Sequence, residues 1–238
     1  MSIVVFAGPS LPSAARRDVA GVEWRPPAEA GDILGMDLRP DLTICLIDGF
    51  FDHRPAVRHK EILLALSEGA RVIGASSIGA LRAAEMAPFG MEGVGRIHRA
   101  FADRRLTGDD EVALVHASEG QDWRPLSVPL VEVRATLCLL VRERRIAARE
   151  ARRIRAAARE VHYIDRSWSS FAPRTLRSLL EAAHVPLKRA DAEAALAAAL
   201  TPPAQPPQPP QMVETSFLRA LARSIPSRKP RPPFPVGP

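Results

Sequence analysis

The chain has 238 residues, of which 46% are hydrophobic, and a mean hydropathy of −0.06; that is enough apolar matter for a buried core and too little for a bilayer-embedded protein. No run of about 18 apolar residues occurs, and the start, MSIVVFAGPSLPS, lacks a basic n-region and a long apolar stretch, so a cytoplasmic protein with no membrane partner is expected. The net charge of +6 suits acidic partners, whereas an aromatic content of 5% leaves little to stack on bases, which makes nucleic acid the least supported partner.

Three short apolar runs rich in β-branched residues, IVVFAG (3–8), LTICLI (42–47) and ARVIGAS (70–76), read as strands. Apolarity without alternation marks strands covered on both faces. Between the second and third lies PAVRHKEILLALSEG, with Pro55 suited to the first helical position, apolar residues at 57, 62, 63 and 66, and Gly69 as a stop. That is a βαβ unit, hence a parallel pair. Cys45 and Cys138 sit in apolar runs and read as small hydrophobes. With no CxxC and no zinc-type His/Cys spacing, neither a metal nor a cofactor is expected.

The third strand runs directly into VIGASSIGALRAAEM (72–86). Ala75-Ser76-Ser77-Ile78-Gly79 has the small-x-Ser-x-small pattern of a strand–turn–helix elbow that presents a nucleophile. The competing reading is that Ser76 or Ser77 only caps the helix. In an open parallel sheet the strand ends share one edge, which here carries Gly8, Pro9 and Ser10, then Asp48 and Gly49, then Ser76 and Ser77. A serine nucleophile needs a base. His59 shares a helical stripe with Ile62, Leu63 and Leu66 and is expected to face inward, with His53 and His116 as alternatives. Asp48 would orient the base or bind substrate, and the Ile78 amide with the Gly8 loop would hold an oxyanion. Arg82 and Glu85, one turn apart, would pair or line the cleft. In GDDEVALVHA, Asp109, Asp110 and Glu111 read as cap and first-turn acids of a helix, and FGMEGVG is a poor phosphate loop.

From about residue 128 the pattern turns helical: VPLVEVRATLCLLV, IAAREARRIRAAAREV, APRTLRSLLEAAH and RADAEAALAAAL. The fold class is therefore α/β, a parallel-sheet (Rossmann-like) core followed by a helical C-terminal half. Boundaries fall at 1–125 for the core, 126–200 for the helices and 201–238 for a tail whose TPPAQPPQPPQ should be extended polyproline II and whose end should be disordered. Eight arginines between 142 and 159 crowd one segment, read either as a solvated helix face or as a dock for something acidic.

Taken together, VFAGPSLP, RPPAEAGDI, IDGFFDHRPAVRHKEILLAL, GASSIGALRAAEMAPFGMEGVGRIHRAF and DDEVALVHA resemble, in order and spacing, the TfuA-like proteins, over roughly residues 3–118. The resemblance implies a role beside a YcaO-type enzyme in forming peptide thioamides, with ATP chemistry left to that partner. Matching positions carried over by motif are Ser10, Asp48, His59, Lys60, Ser77, Arg82 and Glu85. Combined with the elbow, this suggests release of sulfide from a thiocarboxylated sulfur-carrier protein, with Ser77 as nucleophile, His59 as base, Asp48 as orienting group, and Gly8, Ser10, Lys60, Ser76, Ile78, Gly79, Arg82 and Glu85 around the substrate. The reading from another class is a non-catalytic scaffold that binds the YcaO enzyme or its precursor peptide.

Overall fold

The structure is a computed structural model that describes residues 2–16, 20–50, 54–203 and 208–211, with residues 216 and 220. The elements in chain order are β1 (Ser2–Phe6), β2 (Val22–Arg25), β3 (Leu42–Leu46), α1 (His59–Ser67), β4 (Arg71–Gly74), α2 (Ile78–Met86), β5 (Glu92–Gly93) and α3 (Gly95–Ala102). The helical half follows as α4 (Leu130–Arg142), α5 (Ala148–Glu160), α6 (Trp168–Phe171), α7 (Arg177–Ala182) and α8 (Leu187–Leu200). The strands form one sheet of order β2-β1-β3-β4-β5, with every pairing parallel. The α/β class and the helical second half are as the sequence indicates.

The three apolar runs are β1, β3 and β4, and each is covered on both faces. One face sets Val4, Phe6, Ile44, Leu46 and Val72 against Ile62, Leu63 and Leu66 of α1 and against Ile33, Leu34 and Leu38 of the segment before β3. The opposite face sets Ile3, Val5, Cys45, Ile47 and Ile73 against Ala192, Ala195, Leu196 and Ala199 of α8. Small alanines let this helix lie close on the sheet, and their low side-chain entropy cost favours both helix and burial.

Polar contacts lock α8 in place. Arg71, at the start of β4, donates to the carbonyls of Ala198 (3.0 Å) and Thr201 (2.7 Å), adding a side-chain donor to the C-terminal end of the helix. Asp191 accepts the amides of Arg96 (3.0 Å) and Ile97 (2.7 Å), so a carboxylate from α8 caps α3. That carboxylate explains FGMEGVG as well. A Cβ at Gly95, where φ is +96°, would stand 2.3 Å from Asp191 Cγ, so the glycine admits a side chain and not a phosphate.

A separate apolar cluster joins α4 to α7: Val133, Leu137 and Leu140 of α4 pack with Ile154 of α5, Trp168 of α6 and Leu180 of α7.

Several details differ from the sequence reading. α1 begins at His59 and not at Pro55, because the Glu61 carboxylate turns back to accept the Arg58 amide at 3.1 Å and so fixes the first turn there. Asp109–Glu111 forms a single 3-10 turn instead of opening a helix, and the chain continues without regular structure through Ala113, Leu114 and Val115. β2 and β5 have no apolar run to announce them: VEWR alternates polar with apolar at the sheet edge, and EG is two residues long. The proline-rich tail and the segment after it lie largely outside the described residues. Among the described residues no helix is long and apolar enough to cross a membrane.

Candidate functional site

A sheet of this order reverses its direction of growth between β1 and β3, and ligands gather at the carboxyl ends of the two strands that flank such a reversal. Asp48 follows β3 at that point and is 2% exposed. Its carboxylate accepts the Gly8 amide (2.9 Å), the Ser10 amide (2.9 Å) and the Ser10 hydroxyl (2.7 Å). Asp48 thus ties the loop after β1 to the end of β3. The Gly8 amide, expected to hold an oxyanion, is engaged by Asp48 here, and among the described residues the side-chain hydrogen bonds of Asp48 go to this loop and none to His59.

One strand further on, β4 turns sharply into α2. Ser76 has φ 65°, and the Ser77 amide donates to the Ala75 carbonyl at 2.8 Å, closing a three-residue reversal. The strained apex is therefore Ser76, one residue before the position the elbow pattern assigns to it. Its hydroxyl is buried and has no hydrogen-bond partner among the described residues. The turn is tight because the flanking glycines admit backbone: a Cβ at Gly74 would lie 2.1 Å from the Gly79 carbonyl, and one at Gly79 would lie 1.8 Å from the Leu46 carbonyl.

Ser77 occupies the N-cap position of α2, yet its side chain makes no capping hydrogen bond. Its hydroxyl instead accepts from Lys188 Nζ at 3.0 Å. In the first turn of α2 the Gly79 amide donates to the Ile47 carbonyl, and the Ala80 and Leu81 amides donate to the Ser77 carbonyl. The Ile78 amide is the donor of that turn with no acceptor among the described residues.

Lys188 enters from the first turn of α8 and is 3% exposed. Its Nζ also donates to the Val112 carbonyl at 2.8 Å, and its amide donates to Glu132 of α4 at 3.0 Å. Burial lowers the proton affinity of the ammonium, and the carboxylates of Asp48 and Glu132 pull the other way. A desolvated lysine beside a serine hydroxyl is the general-base arrangement of a Ser–Lys dyad.

Asp48, Ser77 and Lys188 line one cavity of about 150 Å³. Pro9, Pro27 and Phe50 wall it on one side, and the Val112–His116 segment walls it on the other. Arg54 lies at its rim, stacked 4.5 Å from the Phe50 ring. His116 also faces the cavity, with Nδ1 2.8 Å from the Ala117 carbonyl.

His59 belongs elsewhere. Its side chain is 50% exposed and its Nε2 lies 2.7 Å from Glu85 Oε2. Because α1 begins at His59, the inward stripe starts with Glu61 and Ile62, and the imidazole turns outward to α2. Arg82 completes this separate group, donating to Glu85 (2.6 Å) and to the Val57 carbonyl (3.0 Å). Lys60, which follows His59 in the chain, is half-buried, and neither it nor Arg82 nor Glu85 lines the cavity. His53 lies outside the described residues.

The residue that sequence reasoning misses is Lys188. A signal for it is present: Lys188 shares a helical stripe with Asp191, Ala192, Ala195 and Ala199, so a charge sits on the face that buries the alanines. Among the described residues no group of three or more His, Cys, Asp or Glu side chains could hold a metal ion.

No match is found among curated proteins. The chain matches the family described as TfuA-like protein over residues 48–167, half of its 238. Asp48 and Ser77 lie inside the matched region, whereas Gly8, Ser10 and Lys188 lie outside it. On that match, the chain belongs to the TfuA-like family.

Proposed function

We propose that the protein is a serine-dependent hydrolase of thiocarboxylates that delivers sulfide to a YcaO-type partner during thioamide formation, with Ser77 as nucleophile and Lys188 as base. The observation that carries this reading is the buried Lys188 Nζ, 3.0 Å from a Ser77 hydroxyl that is not used to cap its helix. TfuA-like proteins are associated with YcaO systems, and replacing an amide oxygen by sulfur needs a sulfur source. A cavity of about 150 Å³ is smaller than the roughly 300–1,000 Å³ of drug-sized ligand sites, which favours the extended end of a chain over a folded face or a large cofactor.

In the proposed cycle, neutral Lys188 takes the Ser77 proton as Oγ attacks the carbonyl carbon of the terminal thiocarboxylate. The tetrahedral oxyanion is held at the N-terminus of α2, where the Ile78 amide is available. Collapse breaks the carbon–sulfur bond, Lys188 returns the proton to the departing sulfur, and an acyl-serine remains. Lys188 then activates water, which releases the carboxylate and restores Ser77. The net reaction is thiocarboxylate plus water to carboxylate plus hydrogen sulfide. Asp48 fixes the loop that forms the opposite wall.

The test is sulfide release from a carrier protein bearing a C-terminal thiocarboxylate. Wild type should release sulfide with an acyl-enzyme detectable by mass spectrometry. Lys188→Met should slow release by about 10²–10⁴-fold, the usual worth of a general base. Ser77→Ala releasing sulfide at the wild-type rate would show that Ser77 is not the nucleophile. Stimulation of the YcaO partner by a wild-type protein that releases no sulfide would establish the scaffold reading.

A further inference from the structure

Outside the cavity, the described residues form a basic groove over α3, α4 and α5 that has no role so far. Its wider part, about 660 Å³, has Ile97, Leu106, Val131 and Leu187 in its lining, with Arg96, Arg99 and Arg105 beside them. Its narrower part, about 280 Å³, continues between α4 and α5 over Leu137, Val141 and Ala151, beside Arg152 and Arg155. Arg134 and Cys138 line both parts, so the two adjoin along α4.

The charge of this groove is not internally balanced. Arg134 pairs with Glu111, and Arg105 pairs with Asp103 at 3.0 Å. Around α5, Arg145 and Arg153 reach carboxylates at 3.6 and 3.7 Å, while Arg142, Arg149, Arg152 and Arg155 have no ion pair among the described residues. Arg96 likewise is exposed and has no ion pair among them, although it and Arg99 lie in the field of the Asp191 carboxylate. Asp103 is the only acidic side chain among the described residues that line either part. A groove with an apolar floor and unpaired guanidinia on its walls is complementary to a segment that alternates apolar anchors with carboxylates.

We infer that the α3–α4–α5 groove is a docking site for an acidic, amphipathic polypeptide segment. A nucleic acid fits less well, because no aromatic side chain among the described residues lines the groove to stack on bases and the apolar floor has nothing to meet on a phosphate backbone. Leu187, the residue before Lys188, lines the groove, so a docked segment would lie against the same helical turn that supplies Lys188 to the cavity. Docking itself does not depend on the hydrolase reading.

Cys138 provides the footprint. It is exposed in the groove, while Cys45, the other cysteine, is fully buried in the sheet with its thiol pushed up to about 12 by desolvation. The probe is a synthetic peptide of about 20 residues with leucines at helical i, i+3 and i+7 spacing and glutamates between them. It should bind the full chain, weaken with added salt and slow alkylation of Cys138 by N-ethylmaleimide. Arg152→Glu with Arg155→Glu should weaken binding at least tenfold, whereas Arg149→Glu with Arg153→Glu, an equal charge change outside the groove, should weaken it far less. The proposal is overturned by any of four results: no binding at millimolar peptide, equal binding of polyglutamate without leucine, equal losses from the two double variants, or protection of Cys138 by a single-stranded oligonucleotide at the same or lower concentration. Because the readouts are binding and thiol protection, they stand or fall separately from sulfide release.

Discussion

At the scale of single residues, the proton on Lys188 decides the proposed cycle. Burial, the largest influence on it, lowers its proton affinity from the ordinary lysine value of 10.5, and the Asp48 and Glu132 carboxylates partly restore it. Activity in the proposed cycle requires the neutral amine, so the rate should rise with pH and level off below 10.5. Removing a carboxylate that favours the ammonium should move that rise to lower pH. Glu132→Gln keeps an oxygen for the Lys188 amide and does not line the cavity, so a pH–rate profile shifted acidward is the expected result; an unmoved profile would remove Lys188 from the role of base. Stability carries the matching sign. Between the folded and unfolded proton affinities of Lys188 the unfolded chain holds the extra proton, so the folded state gains stability as pH rises through that window.

Elements are where the sequence is most informative and where its limits have identifiable causes. β1, β3 and β4 are legible because strands buried on both sides have nothing but apolar residues to show, and α4 and α5 because each sustains its periodicity over 13 residues. β2 and β5 are not, because edge strands of two to four residues owe their existence to a neighbour and not to their own pattern. In α1 the periodicity is legible but its phase is not: the helix hides Glu61 and exposes His59, and only the backward turn of the Glu61 side chain to Arg58 sets where the first turn begins.

Glu61 should make α1 sensitive to pH. The side chain is 0% exposed and accepts the amides of Gly31 (2.7 Å) and Arg58 (3.1 Å), yet desolvation raises its carboxyl from 4.5 to about 7. A raised carboxyl binds its proton more tightly in the folded state. Its contribution is therefore complete below about 4.5 and lost as pH rises through about 7. A shift of this size corresponds to about 3 kcal/mol. Urea midpoints of wild type should fall between about pH 4.5 and about pH 8, and Glu61→Gln, which has no proton to lose, should show that much less of a fall. Equal slopes in the two proteins would mean that the buried carboxyl is solvated or paired in some other way.

At the scale of the whole molecule, α8 joins two halves that the sequence presents as separate. The site depends on this, because Asp48 and Ser77 come from the sheet and Lys188 arrives 111 residues after Ser77. No local pattern encodes such a distance, so the dyad is not readable before the chain is folded, although the sheet edge that receives it is. Leu187 packs with Ala80, Ile97 and Val131, the alanines of α8 pack on the sheet, and Glu132 of α4 holds the first turn of α8 through the Lys188 amide. With α8 shared in this way, we expect the α/β core and the helical half to unfold together in spite of their different composition. Two of the three tryptophans report on the two halves: Trp24 on β2 packs against the sheet–α8 cluster, and Trp168 is buried with α4, α5 and α7. Variants that retain only Trp24 or only Trp168, with phenylalanine at the other two positions, should give the same urea midpoint by fluorescence once each is referenced to its own circular-dichroism transition. Adding Ala195→Leu, which overfills a fully buried contact between α8 and the sheet, should lower both midpoints by an equal amount, equivalent to about 1–3 kcal/mol. A shift confined to the Trp24 reporter would show that the helical half folds independently and that Lys188 is delivered to Ser77 by docking of two units.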